Sequence, residues 1–207
     1  IKKNDGIKID GAFDTNIEFK ENQLQEFLKK IYNTNYLNKK INLKGVIKNK
    51  FNIQLSNTLE VLNYNVNLNA EIKEGVFTFN NEFNPVVLKN KIKNIYFDKS
   101  KIRLNLNKNN SDLSISGIYK LNKSSEFTSY TIKSNFKKSI SDLVLSFDIK
   151  DDISVDVINY KKSNNVTANL KAKIKFNKKN INIKSLNYVQ KKNLILLNSV
   201  VLDEKYR

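Results

Sequence analysis

Residues 62–73 have the sequence LNYNVNLNAEIK, in which apolar and polar side chains alternate without an error. The apolar positions begin at Leu62 and end at Ile72, and asparagine, glutamate or lysine fills the positions between and after them. A period of two residues is typical of a β-strand that has one face on an apolar layer and the other in water. This stretch therefore predicts a long strand with one apolar face.

The same alternation recurs along most of the chain. In residues 41–55 six apolar side chains, from Ile41 to Leu55, occupy odd positions, with lysine or asparagine at most of the even ones. It returns in residues 102–106, 113–121, 143–149, 153–157 and 166–176. Short polar runs, such as residues 150–152, separate these stretches and favour hairpins. We expect roughly a dozen strands, joined as an antiparallel meander.

One segment has a different period. Leu24, Phe27, Leu28 and Ile31 follow the i, i+3, i+4, i+7 spacing of an amphipathic helix, which predicts a short helix near Glu21–Tyr32. The remainder of the chain contains little that would interrupt a strand, because it has five glycines and one proline. Bulges and sharp bends are therefore expected to be scarce.

The predicted fold class is mostly β, with long antiparallel strands. Long strands with few bends favour a curved, groove-like sheet, but the same alternation also suits a sandwich in which two sheets bury their apolar faces. The 207 residues are expected to form a single β-rich domain, or a segment of a longer repetitive β-groove protein. Alternation alone does not distinguish an open groove from a closed core.

Composition argues against catalytic and metal-binding functions. The chain contains no cysteine, histidine, methionine or tryptophan, so the usual zinc and iron ligands and the Ser-His and Cys-His pairs are absent. The densest carboxylate group, Asp148, Asp151, Asp152 and Asp156, lacks the glycine of a calcium loop and is interpreted as turn residues. We expect no cofactor, no metal site and no enzymatic activity.

The chain is strongly basic, with 37 Lys and Arg against 20 Asp and Glu and a formal net charge of +17. Such a charge attracts nucleic acids, acidic polymers or anionic lipids. Heavy use of lysine together with asparagine is also what an A/T-rich genome produces. Aromatic residues such as Phe51 and Tyr64 lie in phase with the apolar side, where they could not stack on bases among the lysines. We expect no nucleic-acid partner.

If no second layer covers the sheet, its apolar face forms a trough that requires an apolar ligand or partner. Acyl chains suit such a trough, because they are long and need no hydrogen-bond partner. The two most regular strands supply the predicted lipid-contacting residues, which are Ile41, Leu43, Ile47, Phe51, Ile53, Leu55, Leu62, Tyr64, Val66, Leu68, Ala70 and Ile72.

Three short alternating stretches end in glycine, namely Gly6–Gly11 (GIKIDG), Ile41–Gly45 (INLKG) and Leu113–Gly117 (LSISG). With them, the chain resembles the AsmA-like family of bacterial envelope proteins, which includes bridge-like lipid-transfer members. The resemblance implies a long curled β-groove through which phospholipids move passively between the inner and outer membranes. It also implies a periplasmic segment, anchored in the inner membrane by a region outside these residues, whose rim lysines attract anionic headgroups.

Two other functions remain open. A structural or adhesin-like β domain would use the same apolar residues as a closed core and would bind no lipid. An outer-membrane barrel would have lipid-facing strands of about 10 residues between two girdles of aromatic residues. The aromatic residues of this chain show no two-belt spacing. Lipid binding is therefore the first prediction and the structural domain the second.

Overall fold

The computed structural model describes residues 6–20, 23, 26, 40–83, 85, 88, 90–123, 126–137, 140–177 and 180–202. Strands account for 80% of the structure and helix for 2%, so the predicted fold class, mostly antiparallel β, is confirmed. The predicted helix near Glu21–Tyr32 lies outside the described residues, apart from Gln23 and Glu26.

The described residues contain twelve strands. They are β1 (Ile7–Phe19), β2 (Lys40–Leu55), β3 (Val61–Phe83), β4 (Ile92–Asn107), β5 (Ser111–Leu121), β6 (Thr128–Lys137), β7 (Ile140–Ile149), β8 (Ile153–Val155), β9 (Tyr160–Lys162), β10 (Ala168–Phe176), β11 (Ile181–Gln190) and β12 (Asn193–Leu202). Ten of them form one large, curved, open sheet in the order β1-β2-β3-β4-β5-β6-β7-β10-β11-β12. Each neighbouring pair is antiparallel, as a meander requires, and β8 and β9 form a separate hairpin.

Residues 150–152 do not form the hairpin turn that their polarity predicts. β7 ends at Ile149 and pairs with β10, whereas the following strand β8 pairs with β9. A 3-10 turn at Asp156–Ile158 also ends β8 earlier than the alternation predicts, and Asn159 closes that turn with a left-handed φ of 49°. The hairpin leaves the sheet because Ile153 packs onto the sheet face and does not extend the ladder beside β7.

The expectation that bulges are scarce is wrong. The pairing register shifts at several places, for example between Asp98 and Lys101 along β4. Lys99 there has a left-handed φ of 47°, and none of the described glycines has a positive φ. An extra residue in β3 exchanges the two faces of the strand. Ile72 and Phe77 therefore both pair with residues of one face of β2, although an odd spacing of five positions would otherwise place them on opposite faces. Bulges of this kind correct the face of a long strand.

Gly117 allows neighbouring strands to approach closely. A Cβ atom at this position would lie 2.4 Å from Oγ and 2.8 Å from Cα of Ser100. The Tyr130 hydroxyl donates a hydrogen bond of 2.8 Å to the same Ser100 Oγ from two strands away. Glycine is therefore required here for packing, because a side chain would collide with β4.

The two edge strands of the sheet differ in charge. β1 carries Lys8, Asp10, Asp14 and Glu18, whereas β12 contains no charged residue. Leu194 and Leu196 of β12 are 57% and 55% exposed. Charged side chains on an edge strand hinder its pairing with another chain. β1 has this protection and β12 does not.

Candidate functional site

The register aligns apolar residues from all ten strands of the sheet on one face, here called the apolar face. Directly opposed residues of an antiparallel pair lie on the same face, so a chain of pairs defines a row across the sheet. The middle row consists of Thr15, Ile47, Ala70, Ile102, Ile115, Ile132, Leu145, Ala172, Leu186 and Leu197. Apart from Thr15, every residue of this row is apolar.

Two further rows lie between the middle row and the strand ends joined by residues 56–60 and 107–110, here called the open edge. The second row consists of Phe13, Asn49, Leu68, Leu104, Leu113, Ser134, Leu143, Ile174, Ile183 and Val200. The third row consists of Gly11, Phe51, Val66, Leu106, Ser111, Phe136, Ser141, Phe176, Ile181 and Leu202. None of these thirty side chains is charged.

The rows are long compared with a lipid. Ten strands have nine gaps of about 4.8 Å, so each row extends about 43 Å along the sheet.

Polar residues on the rows are few, and Asn49 is the most unusual of them. Its Oδ1 is buried and has no hydrogen-bond partner.

The opposite face is polar over most of the sheet, except near β12, where Val189, Leu194, Leu196 and Val201 lie exposed on it. One of its rows consists of Asp14, Lys48, Asn69, Arg103, Ser114, Lys133, Val144, Lys173, Ser185 and Asn198. Nearly all of these side chains form hydrogen bonds with water more readily than they pack, and Lys48 also forms an exposed ion pair with Asp14 at 3.6 Å. The sheet therefore has one face suited to water and one suited to apolar groups.

At the edge opposite to the open edge, two connections pack onto the apolar face. The β3–β4 connection contributes Leu88, and the β8–β9 hairpin contributes Ile153, which pairs with Leu88 through an isolated bridge. One buried cluster forms around Tyr119 and Tyr130, with Leu88 packed against it. A second cluster forms around Ile153 and Tyr188. This part of the face, here called the covered half, is an ordinary apolar core.

Lys162 fixes the β8–β9 hairpin in place. Its side chain is buried, and Nζ donates hydrogen bonds to the backbone carbonyls of Lys150 at 3.0 Å, Asp151 at 2.8 Å and Ser163 at 3.1 Å. Burial lowers the pKa of this amine, and the negative charges of Asp151 and Asp152 partly offset that effect. The ammonium group thus ties the start of β8 to the end of β9.

Buried tyrosines connect the hairpin and the sheet. The Tyr160 hydroxyl lies 3.0 Å from that of Tyr188 and donates to Oε1 of Gln190 at 2.9 Å. Burial, followed by the contact with Tyr160, raises the pKa of Tyr188. In the other cluster, burial raises the pKa of Tyr119 to about 12, and its hydroxyl donates to the Asp148 carbonyl at 3.0 Å. These phenols act as neutral hydrogen-bond donors in the core.

Towards the open edge the apolar face remains exposed. Ile7, Ile9 and Phe13 of β1 are 46%, 43% and 46% exposed, and Phe136 of β6 is 44% exposed. Ten apolar residues among those described are buried, and most of them belong to the two clusters or lie next to them. Most other residues of the second and third rows are half-buried. Isolated exposed apolar residues are normal in proteins, whereas several of them beside a half-buried apolar face indicate a binding surface.

The structure brings the sequence-predicted site residues together on the apolar face. Eleven of the twelve belong to direct pairs on this face of β2 and β3, and Leu62 lies at a register shift near the open edge. The eleven are Ile41, Leu43, Ile47, Phe51, Ile53, Leu55, Tyr64, Val66, Leu68, Ala70 and Ile72. Sequence reasoning missed their row partners, such as Phe13 and Leu104, because the alternation does not reveal which strands pair.

The carboxylates singled out from the sequence have ordinary partners. Asp148 accepts hydrogen bonds from Asn169 at 2.8 Å and from Ser129 at 2.5 Å, and Asp156 accepts one from Ser154 at 2.9 Å. Within the described ranges, no three His, Cys, Asp or Glu side chains are grouped to hold a metal ion. No described helix is long and apolar enough to cross a membrane.

Comparison of the chain with protein-family models, with curated proteins and with solved structures found no match. The resemblance to the AsmA-like family therefore stays a prediction from the sequence. The apolar face is the candidate site on which a functional proposal rests.

Proposed function

We propose that this chain binds acyl chains of lipids along the apolar face and serves as a non-enzymatic lipid-binding or lipid-transfer segment. The observation that supports the proposal is the set of three continuous rows without a charged side chain. Residues beside the open edge, such as Ile9 and Phe13, stay more than two fifths exposed. A surface of this kind is unfavourable in water and is stabilised when an apolar ligand covers it.

The chemistry of the rows suits acyl chains better than a polar ligand. Acyl chains need no hydrogen-bond partners, and the rows offer few polar atoms. One leaflet of a bilayer has a hydrocarbon thickness of about 15 Å, half the usual core. A row of about 43 Å is therefore long enough for more than one lipid placed along it. The polar face keeps the complex in contact with water.

The resemblance to the AsmA-like family supplies a setting for the proposal. In that setting the segment belongs to the bacterial periplasm, and phospholipids slide along the apolar face between the inner and outer membranes. The partner membranes are reached through regions outside these residues. No residue performs chemistry in this mechanism, because the ligand moves while its headgroup stays in water.

A structural or adhesin-like domain is the second candidate, and the covered half favours it. The clusters around Tyr119 and Tyr188 are packed as a closed core and leave no space for a ligand there. This reading accounts for the covered half of the face. It offers no reason for the exposed residues of β1 and β6 on the same face.

Binding of a fluorescent phospholipid tests the proposal. The probe is phosphatidylcholine with a nitrobenzoxadiazole group on one acyl chain, whose fluorescence rises when the delipidated protein binds it. Leu104→Asp places a carboxylate on the apolar face, whereas Asn105→Asp places the same charge on the polar face of the same strand. We expect Leu104→Asp to lose at least tenfold in affinity for the probe and Asn105→Asp to change little. Circular dichroism verifies that both variants are folded.

Absence of binding by the unmodified protein would contradict the proposal. Equal affinities of the two folded variants would contradict it as well, because the ligand would then lie elsewhere.

A further inference from the structure

We propose, on the basis of the proposed function, that a bound lipid contacts only the open half of the apolar face and holds an anionic headgroup at the open edge. The open half consists of the second and third rows, from Phe13 to Val200 and from Gly11 to Leu202. The headgroup lies beside Lys108 and Lys137. The covered half is then part of the folded core and not of the binding site.

The two edges of the apolar face are asymmetric. At the covered edge, Leu88 and the β8–β9 hairpin pack over strands from β4 to β11 and reach Ile115 and Ile132 of the middle row. A ligand there would have to displace Leu88, Ile153 and the anchored Lys162. An acyl chain that enters from the open edge meets exposed side chains instead.

Aromatic side chains on the two halves differ in exposure. Phe136 of the third row is 44% exposed and Phe13 of the second row is 46% exposed. Phe97 and Phe147 pack against the cluster of buried tyrosines, with the Tyr119 and Phe147 ring centroids 5.6 Å apart. Aromatic rings in the open half therefore have apolar surface that remains available, whereas those in the covered half have already found partners.

Two lysines are exposed at the open edge, namely Lys108 in the connection between β4 and β5 and Lys137, the last residue of β6. Lys137 follows Phe136 and therefore extends from the polar side of the strand end. Lys108 donates one hydrogen bond of 3.0 Å to the Leu62 carbonyl, which leaves two of its three ammonium donors for a ligand. Neither lysine forms an ion pair with a carboxylate among the described residues. Glu60 lies at the same edge in the β2–β3 connection, and Asp112 and Asp142 lie near it on the polar face of β5 and β7.

Two lysines at the covered edge have carboxylate partners. Lys91 pairs with Glu82 at 3.8 Å, and Lys150 pairs with Glu126. The charges of these two lysines are therefore partly neutralised, whereas Lys108 and Lys137 have no ion-pair partner among the described residues. An anionic phosphate is attracted to unpaired lysines at a surface, and the attraction weakens with salt. With the acyl chains in the open half, Lys108 and Lys137 are therefore available to an anionic headgroup at the open edge.

Photo-crosslinking tests the position of the acyl chains. Benzoylphenylalanine replaces Phe13 or Phe136 in the open half, and Phe97 or Phe147 in the covered half, and the protein is incubated with phosphatidylglycerol before illumination. We expect lipid adducts at Phe13 and Phe136 that are at least tenfold more abundant than at Phe97 and Phe147. Comparable adducts in the covered half would overturn the inference but not the proposed function, whereas the absence of bound lipid would overturn the proposed function itself.

A second comparison tests the headgroup. Native mass spectrometry measures binding of phosphatidylglycerol and of phosphatidylcholine with identical acyl chains. The double variant Lys108→Gln with Lys137→Gln is expected to lose about fivefold in affinity for phosphatidylglycerol and little for phosphatidylcholine. The control, Lys171→Gln with Lys173→Gln, removes the same charge from the polar face. An equal loss in the control would show that net charge alone attracts the lipid, which overturns the assignment of the headgroup to the open edge.

Discussion

Replacement of Lys162 by methionine tests whether the β8–β9 hairpin is held onto the apolar face as the structure indicates. Lys162 is 3% exposed and donates to three backbone carbonyls, of Lys150, Asp151 and Ser163. Methionine keeps most of the apolar stem in place and removes the ammonium group. The perturbation therefore acts on the hydrogen bonds and leaves the packing largely intact.

The expected loss follows from these contacts. A hydrogen bond from a charged donor contributes about 1.5–3 kcal/mol net, and three such bonds to one ammonium are not additive. Removal of a partly desolvated charge offsets part of the loss. We expect the hairpin to be destabilised by about 2–3 kcal/mol, which raises its opening equilibrium about 30-fold or more. The rest of the sheet should be affected much less.

Hydrogen exchange of the backbone amides is the appropriate assay. Amides of Ile153–Val155 and Tyr160–Lys162 are expected to exchange faster in Lys162→Met, while amides of β4 and β5 keep their rates. The matched control is Lys161→Met, because Lys161 is the exposed neighbour on the same strand. If Lys162→Met exchanges like Lys161→Met, the ammonium group does not hold the hairpin and the account of the covered half is wrong.

Three further predictions follow from burial and edges. Burial raises the pKa of Tyr119 to about 12 in the folded protein, against 10.0 in the unfolded chain, so the stabilisation from its neutral hydroxyl is complete below pH 10 and is lost as the pH rises through 12. The phenolate signal of Tyr119 is identified by its absence from Tyr119→Phe, and titration of that signal near pH 10 would refute this. Gly117→Ala is expected to lower the free energy of unfolding, measured in urea, by about 1–3 kcal/mol. Gly75→Ala is the control and is expected to lower it by less, because its Cβ would lie no closer than 3.4 Å to a neighbour. Equal losses would refute the predicted clash of a side chain at position 117 with Ser100. The unprotected β12 edge is expected to let the protein self-associate at high concentration, and Leu196→Lys is expected to reduce that association in analytical ultracentrifugation; no association, or association that the variant leaves unchanged, would refute this.

The sequence predicted the strands and the two faces of each strand because alternation is a local signal. Residues 64–72, for example, keep one phase along β3 between its two register shifts. The bulges were not predictable from glycine content, since Lys99 and Ser199 take left-handed φ values without glycine. In such strands the phase is restored by pairing with neighbours, which is a tertiary effect.

The division of the apolar face into open and covered halves was also beyond the sequence. Ile153 and Val155 alternate like any strand residue, and nothing local indicates that their hairpin packs onto the sheet instead of extending it. Lys162 is part of a polar run and gives no sign of burial. The exposed partners Phe13 and Phe136 carry the same alternation as buried residues, so their exposure depends on which connections cross the face.

The central claim is that the exposed rows of the apolar face hold lipid. Native mass spectrometry of the purified protein, followed by lipid extraction, tests it with the double variant Val66→Asp and Leu68→Asp on the apolar face. The control, Asn67→Asp with Asn69→Asp, places the same two charges on the polar face of β3. The account predicts phospholipid at a reproducible ratio in the unmodified protein and the control, and its loss from the folded apolar-face variant. A lipid-free unmodified protein that unfolds when Val66 and Leu68 are replaced would contradict it and identify the rows as a closed structural core.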